Sequence, residues 1–115
     1  MAPYRDLLAW QAAHEMALCA YRVTESWPSR ERFGMVSQLR RAAVSAPTNI
    51  VEGSARLGQR EFKHFLGYAL SSIAEVEYLL DLAHQVGVAS DDDNVALAPL
   101  VRRAGQLTYR LIRSM

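Results

Sequence analysis

Seven residues in one stretch, Phe62, Leu66, Ala69, Ile73, Val76, Leu80 and Ala83, alternate steps of four and three. That heptad rhythm is the seam of a helix packed lengthwise on other helices, and few folds can accept it. The spacing predicts one helix from about Gln59 to Val86, stopped by Gly87. A second apolar file, Phe65, Ser72, Leu79 and Val86, flanks the seam. Two files offer more apolar surface than one partner groove needs, which points to oligomerisation as well as folding.

The rest of the chain supplies three more amphipathic segments. Residues 5–25 place Leu7, Trp10, His14, Ala17, Tyr21 and Thr24 at three- and four-residue steps on one face, which makes His14 a core or interface histidine. Ser26-Trp27-Pro28-Ser29 ends this helix, because proline disfavours helical geometry just before it, and Ser29 is an N-cap candidate for the next. The second helix is expected from Arg30 to Leu57, about 39 Å if continuous, with Gly58 beyond its end as a C′ residue. Pro47 removes a backbone donor and crowds the carbonyl of Ala43, so a kink is expected there. Ser45 and Asn49 lie within reach of the groups it leaves unpaired. Ala42, Ala46, Asn49 and Gly53 form a small-residue stripe that lets another helix come close, beside a polar stripe of Arg41, Ser45, Asn49, Glu52 and Arg56. Ser90 and Asp93 read as a capping box opening a fourth helix, whose inward stripe is Leu97, Leu100, Val101, Ala104, Leu107, Thr108 and Leu111. Pro99 calls for a kink or a later start. Four long helices with short connections give an all-α fold, an antiparallel up-down-up-down four-helix bundle over residues 1–115.

Charge is segregated along the chain although its net value is only +1. Residues 30–60 carry +4, residues 61–98 carry −6 and residues 99–115 carry +4. Such asymmetry points to an electrostatic partner. Arg40, Arg41, Arg56, Arg60, Arg102, Arg103, Arg110 and Arg113 are candidates for phosphate contact with RNA or DNA, where the guanidinium fork is favoured. The competing account is a protein-interaction scaffold: Glu75, Glu77 and Asp81 face a neighbouring subunit's basic helices, and the charge serves assembly of a ring. Trp10 and Phe65 are the apolar candidates for that subunit interface.

Catalytic and metal chemistry find no support. Glu61-Phe62-Lys63-His64 matches the Glu-x-x-His element of di-iron bundles, but the seam turns Glu61 and His64 away from the core and no second copy exists on another helix. The single Cys19, among Ala17, Leu18 and Ala20, reads as a buried inert thiol. No phosphate loop or nucleophile elbow is present. No cofactor, metal or catalytic residue is expected. Nor is a signal peptide or a membrane span expected, which makes the cytoplasm the default location.

The order Asp6-Leu7-x-x-Trp10-Gln11, Trp27-Pro28-x-x-Glu31-x-Phe33-Gly34, Gln38-Leu39-Arg40-Arg41-Ala42-Ala43-Val44-Ser45-x-Pro47-x-Asn49-Ile50-x-Glu52-Gly53 and Glu61-Phe62-x-x-Phe65-Leu66 resembles the bacterial four-helix bundle protein family. Its members include proteins encoded in intervening sequences of 23S rRNA genes, and it is similar to the accessory variability protein of diversity-generating retroelements. The chain departs from the pattern at Trp27, Ala46 and Pro99. The resemblance implies a homopentamer around a central channel, a basic surface suited to nucleic acid and no established catalysis. It also makes Ser45, Pro47, Asn49, Glu52 and Gly53 a structural motif that shapes and packs the second helix.

Overall fold

The computed structural model describes residues 3–115. Among them are four α-helices, α1 (Leu8–Thr24), α2 (Met35–Ser54), α3 (Gln59–Gln85) and α4 (Asp91–Arg113), with 3-10 turns at Tyr4–Asp6 and Ser29–Glu31. Residues 55–58 alone join α2 to α3. Four residues reach at most about 14 Å, far less than the roughly 30 Å length of α2, so α3 must double back alongside α2. The five residues 86–90 impose the same reversal on α4. Arg40, near the start of α2, bonds to Tyr21 and Thr24 at the end of α1, so that pair is also antiparallel. Helix α4 closes the circuit by packing on α1, in a molecule 43 × 23 × 19 Å along its principal axes.

The interior is built as the heptad rhythm requires. All seven seam residues of α3 are buried, and Met16, Leu39, Ile50 and Leu97 meet them from the other three helices with no more than trace exposure. Burying each such side chain contributes about 1.5–3 kcal/mol. Helix α3 comes close to α2 at Gly53, where an added Cβ would stand 2.8 Å from Phe65 Cβ and 2.9 Å from Phe62 Cδ1. The small-residue stripe therefore does what its spacing implies: Ala42, Ala46 and Gly53 are buried and Asn49 is half-buried.

Helix termini show where local chemistry rules. Ser90 and Asp93 form the expected capping box. At the end of α3, Gly87 adopts φ +80°, the left-handed conformation that costs glycine least. Its N–H donates to the His84 carbonyl and that of Val88 to the Ala83 carbonyl, completing a Schellman motif. Elsewhere the boundaries move. Helix α2 begins at Met35, not Arg30, because residues 29–31 take a 3-10 turn and Gly34 (φ −106°, ψ −107°) breaks the run. Ser29 is accordingly the first residue of that turn and not the N-cap of α2, which is Gly34; the Glu31 carboxylate accepts the Met35 N–H, at 3.2 Å. Helix α2 stops at Ser54, and Gly58 is the extended N-cap of α3.

Two faces also differ from expectation. Helix α1 buries Ala17 and Thr24 of the expected stripe together with Ala9, Ala12, Ala13, Met16, Ala20 and Val23, while Trp10 is half-buried and His14 and Tyr21 are exposed. Alanines let α1 sit close to its neighbours, and the bulkier rings are left at the edge of the contact. His14 is thus no core residue; it stacks on Trp10, ring centroids 4.7 Å apart. On α3 the second file is largely consumed inside the bundle. Leu79 is buried, Phe65 packs against Gly53, the Ser72 hydroxyl donates to Ser45 Oγ at 2.9 Å, and only Val86 is widely exposed. A helix flanked by two neighbours buries two adjacent stripes, so this file is not surplus surface.

Both helix-interior prolines are accommodated. Helix α4 starts at Asp91 and runs through Pro99. The carbonyl that loses its partner belongs to Val95, itself 72% exposed, where water can take the missing donor's place. At buried Pro47 the carbonyl left without its helical donor is that of Ala43, and Ser45 and Asn49 do not turn to it as expected: Asn49 Nδ2 donates to the Ser45 carbonyl at 2.8 Å, and Thr48 Oγ1 to the Val44 carbonyl at 2.7 Å.

Candidate nucleic-acid interface

The antiparallel order brings the start of α1, the end of α2, the start of α3 and the end of α4 to one end of the bundle. That end carries Arg5, Arg56, Arg60, Lys63, Arg110 and Arg113 against Asp6, Glu52 and Glu61. The opposite end carries Arg22, Arg30, Arg32 and Arg40 against Glu25, Glu31, Asp81 and the run Asp91–Asp93. The segregation seen along the sequence becomes an axial polarity, with one basic pole and one acidic pole. All six basic side chains of the first pole are exposed. The ion pairs among the described residues are Arg40–Glu25 and His84–Asp91, so none engages a cation of that pole.

The eight candidate arginines therefore divide by position. Arg56, Arg60, Arg110 and Arg113 converge at the basic pole. Arg56 is additionally held over the Phe65 ring, its Cζ 4.7 Å from the centroid, a cation–π contact. Arg102 and Arg103 are exposed halfway along α4, and Arg41 is exposed on α2. Arg40 is already committed. Its Nε donates to Thr24 Oγ1 at 2.8 Å, its Nη2 to the Tyr21 carbonyl at 3.3 Å, and its guanidinium lies over the Tyr21 ring at 4.4 Å. A cation at the carbonyl end of α1 stabilises that helix, so Arg40 is a structural residue and leaves the phosphate-binding set. Sequence reading overlooked Arg5 and Lys63, which join the pole only because the helices reverse.

The acidic candidates do not form one surface. Residues two apart on a helix point to opposite sides, and Glu75 flanks Arg41 in a shallow groove between α2 and α3. Glu77 and Asp81 instead flank Arg102 in a groove of about 370 Å³ between α3 and α4. Glu75 thus lies on the α2 side of α3 and Glu77 and Asp81 on the α4 side, all three exposed, so they do not make a single patch. Phe65, spent on Gly53 and Arg56, is likewise occupied within the subunit. Trp10 remains available: with Leu18, Tyr21, Val44 and Pro47 it lines an apolar groove of about 330 Å³ between α1 and α2.

The motif residues act structurally. Asn49 Nδ2 donates to Ser45 Oγ at 3.1 Å and Ser72 to the same oxygen, a half-buried polar bridge tying α2 to α3. Glu52 is exposed on the last turns of α2. Glu61 is exposed, and His64 Nε2 lies 2.8 Å from the Tyr68 hydroxyl. Among the described residues no three His, Cys, Asp or Glu side chains converge, and no helix is long and apolar enough to cross a membrane. Cys19 is 4% exposed, and burial pushes its thiol pKa up.

Residues 5–110 match a family described as 23S rRNA-intervening sequence protein. Among solved structures, the chain is similar to a protein of unknown function from the S23 ribosomal protein family of Bacteroides thetaiotaomicron. The two share 20% sequence identity with a TM-score of 0.82, over 90% of this chain and 97% of that one, a likeness of fold. No curated protein gives a significant match.

Proposed function

Because the chain belongs to the 23S rRNA-intervening sequence protein family, we propose that it is a non-enzymatic, cytoplasmic homo-oligomer that binds RNA or DNA phosphates without reading sequence. One observation carries this reading: cations from four different parts of the chain meet at one pole, exposed and without ion-pair partners. A guanidinium cluster on a rigid bundle end suits the phosphate backbone, whose contacts carry no sequence information. The family's name supplies an RNA context. Its resemblance to pentameric bundles supports a ring of five, and the apolar α1/α2 groove around Trp10 supports contact between copies.

With about four phosphate contacts per site, log affinity falls against log salt with a slope of about −3 to −4. Replacing Arg56, Arg60, Arg110 and Arg113 together by Gln flattens that slope towards zero while the far-ultraviolet circular dichroism stays helical. Fluorescence anisotropy with labelled RNA and duplex DNA reads both quantities. An absence of binding at low salt would overturn the phosphate reading and leave the scaffold alternative, in which polarity serves assembly alone. Light scattering is expected to return a multiple of the 12.9 kDa chain mass; a monomer would overturn the oligomer.

A further inference from the structure

Beside the basic pole, α3 carries an exposed pair, His64 and Tyr68, that neither the core nor phosphate binding uses. Arg60, His64 and Tyr68 recur at four-residue steps, which stacks them along one helix face. Tyr68 is 50% exposed, a poor position for a residue whose purpose is burial. It is nevertheless well fixed. His64 Nε2 meets its hydroxyl at 2.8 Å. The His64 and Phe65 rings stand edge-on to it, at 4.6 Å and 71° and at 5.9 Å and 86°. Phe65 is held in turn by the Arg56 guanidinium. The hydroxyl and the two ring contacts lie within α3, so they hold the tyrosine upright without joining it to another helix.

An exposed aromatic ring, immobilised next to unpaired cations, is the arrangement by which proteins hold unstacked bases: backbone phosphates follow the charges and a base lies on the ring. Fixing the ring beforehand lowers the ordering cost of binding. A duplex keeps its bases stacked on each other and offers such a ring nothing. We infer that the preferred ligand is a single strand, of RNA or DNA, with one base stacked on Tyr68 and its flanking phosphates on Arg56 and Arg60. The inference rests on the phosphate-binding reading above and deepens it from any nucleic acid to unpaired strands.

The test uses fluorescence anisotropy of the full chain with labelled oligo-rU, oligo-dT and a blunt DNA duplex of equal length at one ionic strength. Both single strands are expected to bind more tightly than the duplex. Tyr68→Leu removes the ring and keeps every charge; it weakens single-strand binding about tenfold, within the range of one lost base stack. Duplex affinity and the salt slope stay unchanged. Tyr68→Phe, which keeps the ring, retains most of the single-strand affinity and controls for folding. Equal affinity for the duplex, or a Tyr68→Leu variant that binds single strands as the parent does, would overturn the inference while leaving phosphate binding intact. Failure of all three probes to bind would overturn both.

Discussion

Gly53→Ala is expected to lower stability by about 2 kcal/mol although it adds only one methyl group. In an open helix the exchange would help, since alanine is favoured over glycine by about 1 kcal/mol. At Gly53 the new Cβ would lie 2.8 Å from Phe65 Cβ and 3.3 Å from the Phe62 carbonyl oxygen. Neither atom is the free end of a flexible side chain, so α3 must shift as a body. Overpacking of this kind costs about 1–3 kcal/mol or more, and here it outweighs the propensity gain. The matched control is Gly67→Ala, also inside a helix, where nothing lies within 4 Å of the added carbon; it should stabilise by up to about 1 kcal/mol. Thermal unfolding reads the contrast, a drop of about 8 °C against a small rise. If both variants melt alike, close approach at Gly53 is not what holds α2 to α3.

The second large effect is expected at Asp93, whose Oδ2 serves two distant parts of the chain. It accepts the Ser90 N–H at 3.1 Å, completing the capping box of α4, and the Trp27 indole N–H at 3.0 Å. Trp27 is buried, so Asp93→Ala leaves an indole donor without a partner, which costs about 1–3 kcal/mol. The lost cap and first-turn charge add up to about 1 kcal/mol more. A total of about 2–3 kcal/mol should appear as a lower urea midpoint. Asp93→Asn keeps an acceptor oxygen and should lose about 1 kcal/mol or less. In a Trp27→Phe background, where no indole N–H remains, the Asp93→Ala cost should shrink by about 1 kcal/mol. An unchanged cost would place the whole effect in the cap.

Periodicity and cap chemistry made much of this architecture legible. The α3 seam, the Ser90–Asp93 box, the Gly87 stop and the tight fit at Gly53 each follow from residue type at a fixed spacing. Neighbour identity did not follow. A heptad pattern says which face is buried, not how many helices bury it, so Leu79 and Phe65 read as surplus when each had a place inside the bundle. On α1 the conspicuous rings of Trp10 and Tyr21 drew attention from the alanines that form the contact. Of the candidate site, the arginines were visible but their grouping was not. Only chain reversal brings Arg56 and Arg60 beside Arg110 and Arg113, and only the α1 terminus explains why Arg40 is taken. The Trp27–Asp93 bond spans 66 positions, beyond the reach of any local rule.

Cys19 gives the molecule a built-in gauge of its own breathing. The chain has one thiol, it lies at the helix interface of α1, and burial disfavours its thiolate, the form that reacts with alkylating reagents. Labelling must therefore wait for α1 to part from its neighbours, and its rate under mild conditions measures the free energy of that opening. Because the folded thiol ionises at higher pH than the unfolded one, its contribution to stability is complete below the unfolded pKa and is lost as pH rises through the folded value. One atom thus reports whether ligand binding or subunit assembly tightens the bundle, with no probe attached beforehand.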